Sequence, residues 1–349
     1  MNSPKLSILV ITHNQLELLK RCLDSVLGQK LNVPFEVIVS DDRSDDGTAE
    51  YMVDLQDKIS NGQLQITNLT QLIYTRCNSN DCDPKNVSER CGWNKLNAYK
   101  HATGECFVNI DADDYLRSND IYQAQLDMLE AHPECSMCMQ DVWRVYDGKP
   151  LKSGQAWPSN GKFESGYIFS VLSSISSCRA LNQCYMTRRH PKDDMMALYG
   201  KYFDDTIITF HHLKYGPVVF LNRADYVWVK YPTSITSTLT GDDDLATHAL
   251  LPLHHIRFIP SLFEVFMEDG IPSLVHLFKE LSEKQYHLCL SDRTLIEYRE
   301  TQGYIYEALC REKPTVWDQI KLRYIRLVLL LTSKYKLHNK KYIYKLLVK

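Results

Sequence analysis

Apolar residues along this chain follow two rhythms: short unbroken runs, and recurrences at spacings of three and four. Leu6-Ser7-Ile8-Leu9-Val10-Ile11-Thr12 is a short run that predicts a buried strand. After His13-Asn14-Gln15, residues Leu16, Leu19, Leu23, Val26 and Leu27 fall on one helical face. Phe35 to Val39 predicts a second strand, and Thr48 onward, with Tyr51, Met52 and Leu55, a second helix. Either Leu64-Gln65-Ile66 or Leu72-Ile73-Tyr74 supplies a third strand. This βαβα order predicts a mostly parallel α/β sheet with right-handed crossovers.

Residues 75–93, rich in Asn, Ser, Asp and Cys, read as a loop insertion. Lys95 to His101 follows as a short helix closed by Thr103-Gly104. A strand over 105–110 and an amphipathic helix over 119–131 come next. Residues 134–170 hold short strand candidates between turn signals at Asp147-Gly148 and Asn160-Gly161. Residues 194–216 look helical, and Pro217 to Lys230 reads as one or two strands. After Pro232 the alternation stops and helical periodicity takes over. The expected domains are therefore 1–240, α/β, and 241–349, helical.

Composition changes this picture little. With 44% hydrophobic and 24% charged residues, wholesale disorder is excluded. A net charge of −3 argues against nucleic acid as a partner. The charge is uneven, however: Lys313 to Lys349 carries ten Lys/Arg against the single acid Asp318. No apolar stretch reaches the ~18 residues of a membrane span. No long apolar segment precedes the first strand, so the expectation is a cytoplasmic chain whose eleven cysteines are reduced. Cys135 and Cys138 have CxxC spacing, and Cys77, Cys82 and Cys91 form a looser group. Neither completes a zinc motif, so plain thiols are expected.

The chemistry lies in the aspartates. Asp41-Asp42 ends a strand and begins Asp41-Asp42-Arg43-Ser44-Asp45-Asp46-Gly47-Thr48; Asp111-Ala112-Asp113-Asp114 ends another. Carboxylates at the C-terminal ends of strands in an open α/β sheet sit where such folds bind ligands. Asp42 suits a carboxylate accepting hydrogen bonds from a base or ribose. Helix capping by Ser44, Asp45 or Asp46 explains the neighbouring polar residues without a ligand. Asp111 and Asp113, two apart on extended chain, can face one hard cation. An acidic turn leading into a helix is the alternative. Asp204-Asp205 precedes a helical pattern, as either a general base or a helix-dipole partner.

Taken together, these motifs resemble the family 2 glycosyltransferases and their GT-A nucleotide-diphospho-sugar-binding domain, over roughly residues 5–236. Leu6 to Asn14 is similar to the family's "SVIIPTYN" strand, Asp41 to Thr48 to its "DDGSTDGT", and Thr103 to Asp114 to its "TGEYIAFLDADD". The resemblance implies a Rossmann-like, mostly parallel sheet flanked by helices. It places Thr12 and Asn14 beside the nucleotide, Asp42 on the nucleobase and Lys95 at the phosphates. Asp111, Ala112 and Asp113 then form the DxD segment. Asp111 contacts ribose or metal, and Asp113 ligates Mn²⁺ or Mg²⁺ on the diphosphate. A later acidic pair in the family supplies the base. Asp205 fits it, with Asp204 in place of Glu and Asp193-Asp194 as competitor. The closing segment Trp228 to Thr236 departs from the family, with Val229 and Tyr231 where Arg and His are usual.

The implied activity is inverting sugar transfer from a nucleoside-diphosphate donor, by family habit a UDP-sugar. The implied acceptor is a saccharide or lipid-linked saccharide in surface polysaccharide or lipopolysaccharide synthesis. Residues 165–192, with Arg179 and Arg188 foremost, are expected to face that acceptor or to form a solvated basic surface. Trp317, Ile320, Tyr324, Leu327, Val328 and Leu331 keep helical spacing among basic residues. That pattern suits peripheral contact with an anionic inner membrane face, or packing on protein with a solvated basic face. A non-catalytic sugar-nucleotide-binding or scaffold protein is the alternative reading. A nucleotidyltransferase would carry a glycine-rich loop where Thr12-His13-Asn14-Gln15 stands.

Overall fold

The structure is a computed structural model that describes residues 3–77, 87–146, 149–150, 156–157, 162–169, 185–190, 212 and 215–232. All belong to the first of the two units into which the chain divides, Met1–Thr238; the second, Leu239–Lys349, lies outside the described residues. The predicted helical C-terminal region and its basic tail therefore lie outside as well.

In order, the elements are β1 (Leu6–Thr12), α1 (Leu16–Leu27), β2 (Phe35–Asp41), α2 (Thr48–Ser60), β3 (Leu69–Arg76), α3 (Val87–His101), β4 (Cys106–Asp111) and β5 (Tyr115–Leu116). Then follow α4 (Ile121–Ala131), β6 (Met137–Tyr146), β7 (Lys149–Pro150), β8 (Ala156–Trp157), β9 (Ile168–Phe169), β10 (Tyr185–Arg188) and β11 (Val218–Lys230). They build one sheet of order β3-β2-β1-β4-β10-β6-β11-β5. Its first four strands are parallel, and β10 runs antiparallel between β4 and β6. Every residue of β1 and β2 is buried, which is why they read as continuous apolar runs rather than alternations. From β1 the chain steps outward through β2 and β3, then returns to place β4 on β1's other side. The crevice above the C-terminal ends of β1 and β4 is thus a topological switch point.

The sheet's opposite end is tied by a buried carboxylate. Glu36 of β2 accepts hydrogen bonds from Ser7 Oγ at 2.6 Å, Thr103 N at 2.6 Å and Gln71 Nε2 at 2.6 Å. Burial opposes its charge, but these donors outweigh burial and hold its carboxyl below the usual range. Gly104 is required here by close approach, because a Cβ would lie 2.7 Å from Ser7 N.

Three expectations change. Of the two third-strand candidates, 72–74 lies in β3, while 64–66 precedes it. Helix α3 begins at Val87, inside the predicted loop. Its sheet-facing side carries polar residues: Asn94 is buried, accepts from Ser40 Oγ at 2.6 Å and donates to Thr12 O at 3.1 Å. A helix that buries asparagine shows no clean apolar stripe. Strand β10 was not foreseen, since its four residues are too short for a periodic signal. The 194–216 helix falls almost wholly outside the described residues.

Candidate active site

The two acidic motifs meet across the switch point, joined by backbone. Asp42 N donates to Thr12 O at 3.0 Å, and Ala112 N to Ile11 O at 2.9 Å. Thr12 Oγ1 is buried with no hydrogen-bond partner among the described residues. Asn14 and Arg43 take positive φ, 50° and 60°. Backbone held in that region needs surrounding support and clusters at functional sites. The support is visible: Asn14 N donates to Ser44 Oγ at 2.8 Å, and Asn14 Oδ1 accepts from Asp45 N at 2.9 Å. The Asn14 side chain thus staples the loops after β1 and β2 together.

The β2 motif divides its labour. Asp41 is fully buried and accepts from Ser44 N at 2.9 Å and Tyr74 OH at 2.7 Å, with Arg76 Nε 3.3 Å away. Asp46 lies just before Gly47, the N-cap of α2. It accepts from Thr48 N at 3.2 Å to start α2, and from Leu16 N at 2.8 Å to start α1. Asp42 is buried as well, among charged partners. Its oxygens are held by Arg43 Nη2 at 2.8 Å and by Arg90 Nη2 at 2.6 Å, with His13 Nδ1 at 4.0 Å. Arg90 stands in the segment read as a loop, so sequence spacing could not single it out.

The β4 motif is less balanced. Carboxylate oxygens of Asp111, Asp113 and Asp114 lie within 4.8 Å of one another. Burial, with Asp111 alongside, pushes the Asp113 carboxyl up to about 7. Asp114 is wholly buried and is raised well above the usual range by burial and then by Asp113 and Asp111. Both its oxygens are engaged: Tyr226 OH donates to one and Val229 N to the other, at 2.8 Å. Val229, where the family usually has Arg, contributes its backbone here. Asp111 and Asp113 remain partly open. Lys95 Nζ sits 3.9 Å from Asp111 Oδ1, so the structure brings Lys95 to the acidic pair. A hard divalent cation fits this donor set: two accessible carboxylates, crowded enough to repel one another.

Arg188, expected at the acceptor, is placed elsewhere. It pairs with Cys106 at the far end of β4, roughly 17 Å from Asp111 at ~3.3 Å per residue. Its guanidinium donates to the carbonyls of Cys135, at 3.0 Å, and Leu129. That ties β10 to the end of α4. Asp193, Asp194, Asp204, Asp205 and Arg179 lie outside the described residues. Among the described residues the aspartate group is the metal-competent cluster, and Cys77, Cys135 and Cys138 are buried and in no disulfide. Burial raises the Cys135 thiol to about 11.

The fold is a mixed α/β, GT-A-like sheet with an acidic group at its switch point. Residues 7–73 match a family model described as glycosyl transferase family 2. Uncharacterized proteins of Mycobacterium tuberculosis and Mycobacterium bovis are 28% identical over 142 residues, 41% of this chain and 36% of each relative. The chain thus matches about a third of the length of those curated relatives. Among solved structures, residues 1–349 of Staphylococcus aureus TarS superpose with a TM-score of 0.57 at 16% identity, covering 97% of this chain and 91% of that one. TarS in complex with UDP-GlcNAc gives a TM-score of 0.58 at 17% identity, covering 97% of this chain and 92% of that one. These findings support a family 2 glycosyltransferase, as its motifs indicated, on a mixed α/β GT-A fold.

Proposed function

We propose that this chain is an inverting glycosyltransferase that moves a hexose or N-acetylhexosamine from a UDP-sugar to a hydroxyl of a saccharide or lipid-linked saccharide. The observation that carries the reading is the Asp111–Asp113 pair at the switch point, with Lys95 beside it and Asp42 across the crevice. Asp42 would accept from the nucleobase, displacing part of its arginine pairing. Thr12 would lie against the nucleoside, and Lys95 would meet the diphosphate as charge builds on it. Asp111 and Asp113 would hold Mn²⁺ or Mg²⁺, which when bound supplies charge neutralisation to the leaving diphosphate.

Asp205 is the proposed base, with Asp204 beside it. It takes the acceptor hydroxyl's proton, the acceptor oxygen bonds the anomeric carbon from the face opposite the diphosphate, and the bond from that carbon to the phosphate oxygen breaks. The proposed setting is cytoplasmic assembly of surface polysaccharide or lipopolysaccharide, with the basic tail touching an anionic membrane. Among the described residues no helix is long and apolar enough to cross a membrane.

The test is release of nucleoside diphosphate from UDP-, GDP- and dTDP-sugars with Mn²⁺, Mg²⁺ or EDTA. UDP-GlcNAc, present in the TarS complex, is the first donor to try. Metal-dependent release of UDP, abolished in Asp113→Ala and Asp205→Asn, is expected. UDP-stabilised melting without turnover under any acceptor would favour a sugar-nucleotide-binding protein.

A further inference from the structure

Arg21, Cys22 and Ser25 of α1, with Gln29 just past its C-terminal end, contact the backbone that carries and follows the acidic motif. Arg21 Nη2 donates to Asp113 O at 2.6 Å. Cys22 Sγ lies 3.9 Å from Asp111 O. Ser25 Oγ accepts from Leu116 N at 3.1 Å. Gln29 Nε2 donates to Ser118 O at 2.6 Å, while its Oε1 accepts from Tyr122 N at 3.3 Å. The contacts run in step along helix and loop, so α1 splints the segment from Asp111 to the start of α4.

Arg21 differs from the others because it is charged and because it reaches two further groups. Its guanidinium lies over the Tyr115 ring at 4.6 Å, and Nη2 is 3.4 Å from Tyr231 OH beyond the end of β11. A planar guanidinium stacked on an aromatic ring has little freedom left, so its donor direction is fixed. That donor holds the carbonyl of the residue whose carboxylate is crowded against Asp111. Lys95 provides positive charge from the α3 side, and Arg21 from the α1 side.

We propose that Arg21 is a positioning residue for metal-dependent nucleotide binding: it fixes Asp113 so that its carboxylate and that of Asp111 converge on one cation. The inference rests on the glycosyltransferase reading and extends it to a residue outside the motifs. Arg21 touches neither base nor ribose in this account, so metal-dependent and metal-independent affinities should separate.

Calorimetric titration of UDP into the full chain, with Mn²⁺ or with EDTA, tests this. Arg21→Leu should weaken UDP binding in Mn²⁺ by tenfold or more and leave binding in EDTA unchanged. Arg21→Gln, which keeps an N–H donor for the Asp113 carbonyl, should recover at least half of the lost factor on a logarithmic scale. Equal affinity of Arg21→Leu and wild type in Mn²⁺ overturns the positioning role. An equal loss in Mn²⁺ and EDTA also overturns it, because it marks general disruption. A wild type whose UDP affinity ignores Mn²⁺ overturns the metal-dependent reading of the site, and this inference with it.

Discussion

The two aspartate clusters look alike on paper and are opposite in physics. At the end of β2, Asp41 is saturated by Ser44, Tyr74 and Arg76, and Asp42 is held by Arg43 and Arg90. At the end of β4, three carboxylates share a space within 4.8 Å, with Lys95 Nζ 3.9 Å from Asp111. Asp113 there is pushed up to about 7 by burial and by Asp111. One cluster has its countercharges built in, so it shapes a loop. The other crowds carboxylates together, which is why we propose it as the place where a cation and a diphosphate bind.

The comparison breaks most sharply at Asp113. Asp113→Ala should cut metal-dependent UDP release by a factor of a hundred or more, about 3 kcal/mol of transition-state stabilisation. It should leave the melting temperature unchanged or higher, since repulsion is removed. Asp41→Ala should do the reverse in kind. It strands Tyr74 OH and Arg76 beside a cavity and should cost about 2–4 kcal/mol of stability in urea unfolding.

Glu36 sharpens the contrast, as a buried carboxylate far from the site whose donors satisfy it. Its carboxyl sits below the ordinary value of 4.5, so the folded state binds its proton less readily than the unfolded chain. Its stabilisation is therefore full above that ordinary value and is lost as pH falls through the lower, folded value. Glu36→Gln should cost about 1–3 kcal/mol at pH 7 and flatten the acid limb of a stability-against-pH curve. The smallest effect belongs to Asp46→Ala, which removes the acceptor of the first N–H of α1 and of α2 and should cost about 0.5–2 kcal/mol without altering UDP affinity in EDTA.

Much of this was legible from residue order. Buried strands announce themselves as apolar runs, which is how β1, β2 and β4 and the acids at their ends were found. What was missed shares a cause. Arg21, Arg90, Ser25 and Gln29 act on groups 48 to 93 residues away, and a contact of that range leaves no local period. The first half of α3, before the predicted helix at Lys95, hid behind the polar face it turns to the sheet. Arg188, a positive charge in a polar stretch, reads as surface, whereas its guanidinium donates to the carbonyls of Cys135 and Leu129. Asp46 accepts from the first N–H of α1 and of α2 but is the N-cap of neither, while Asp42 is held by Arg43 and Arg90.

The central claim is that Asp111 and Asp113 form a cation site completed by a nucleoside diphosphate. Electron paramagnetic resonance of free Mn²⁺, titrated with protein in the presence and absence of UDP, tests it most directly. A single Mn²⁺ site per chain, tightened by UDP and lost in Asp113→Ala, is the predicted result. Mn²⁺ binding unaltered by either UDP or the substitution would contradict the account.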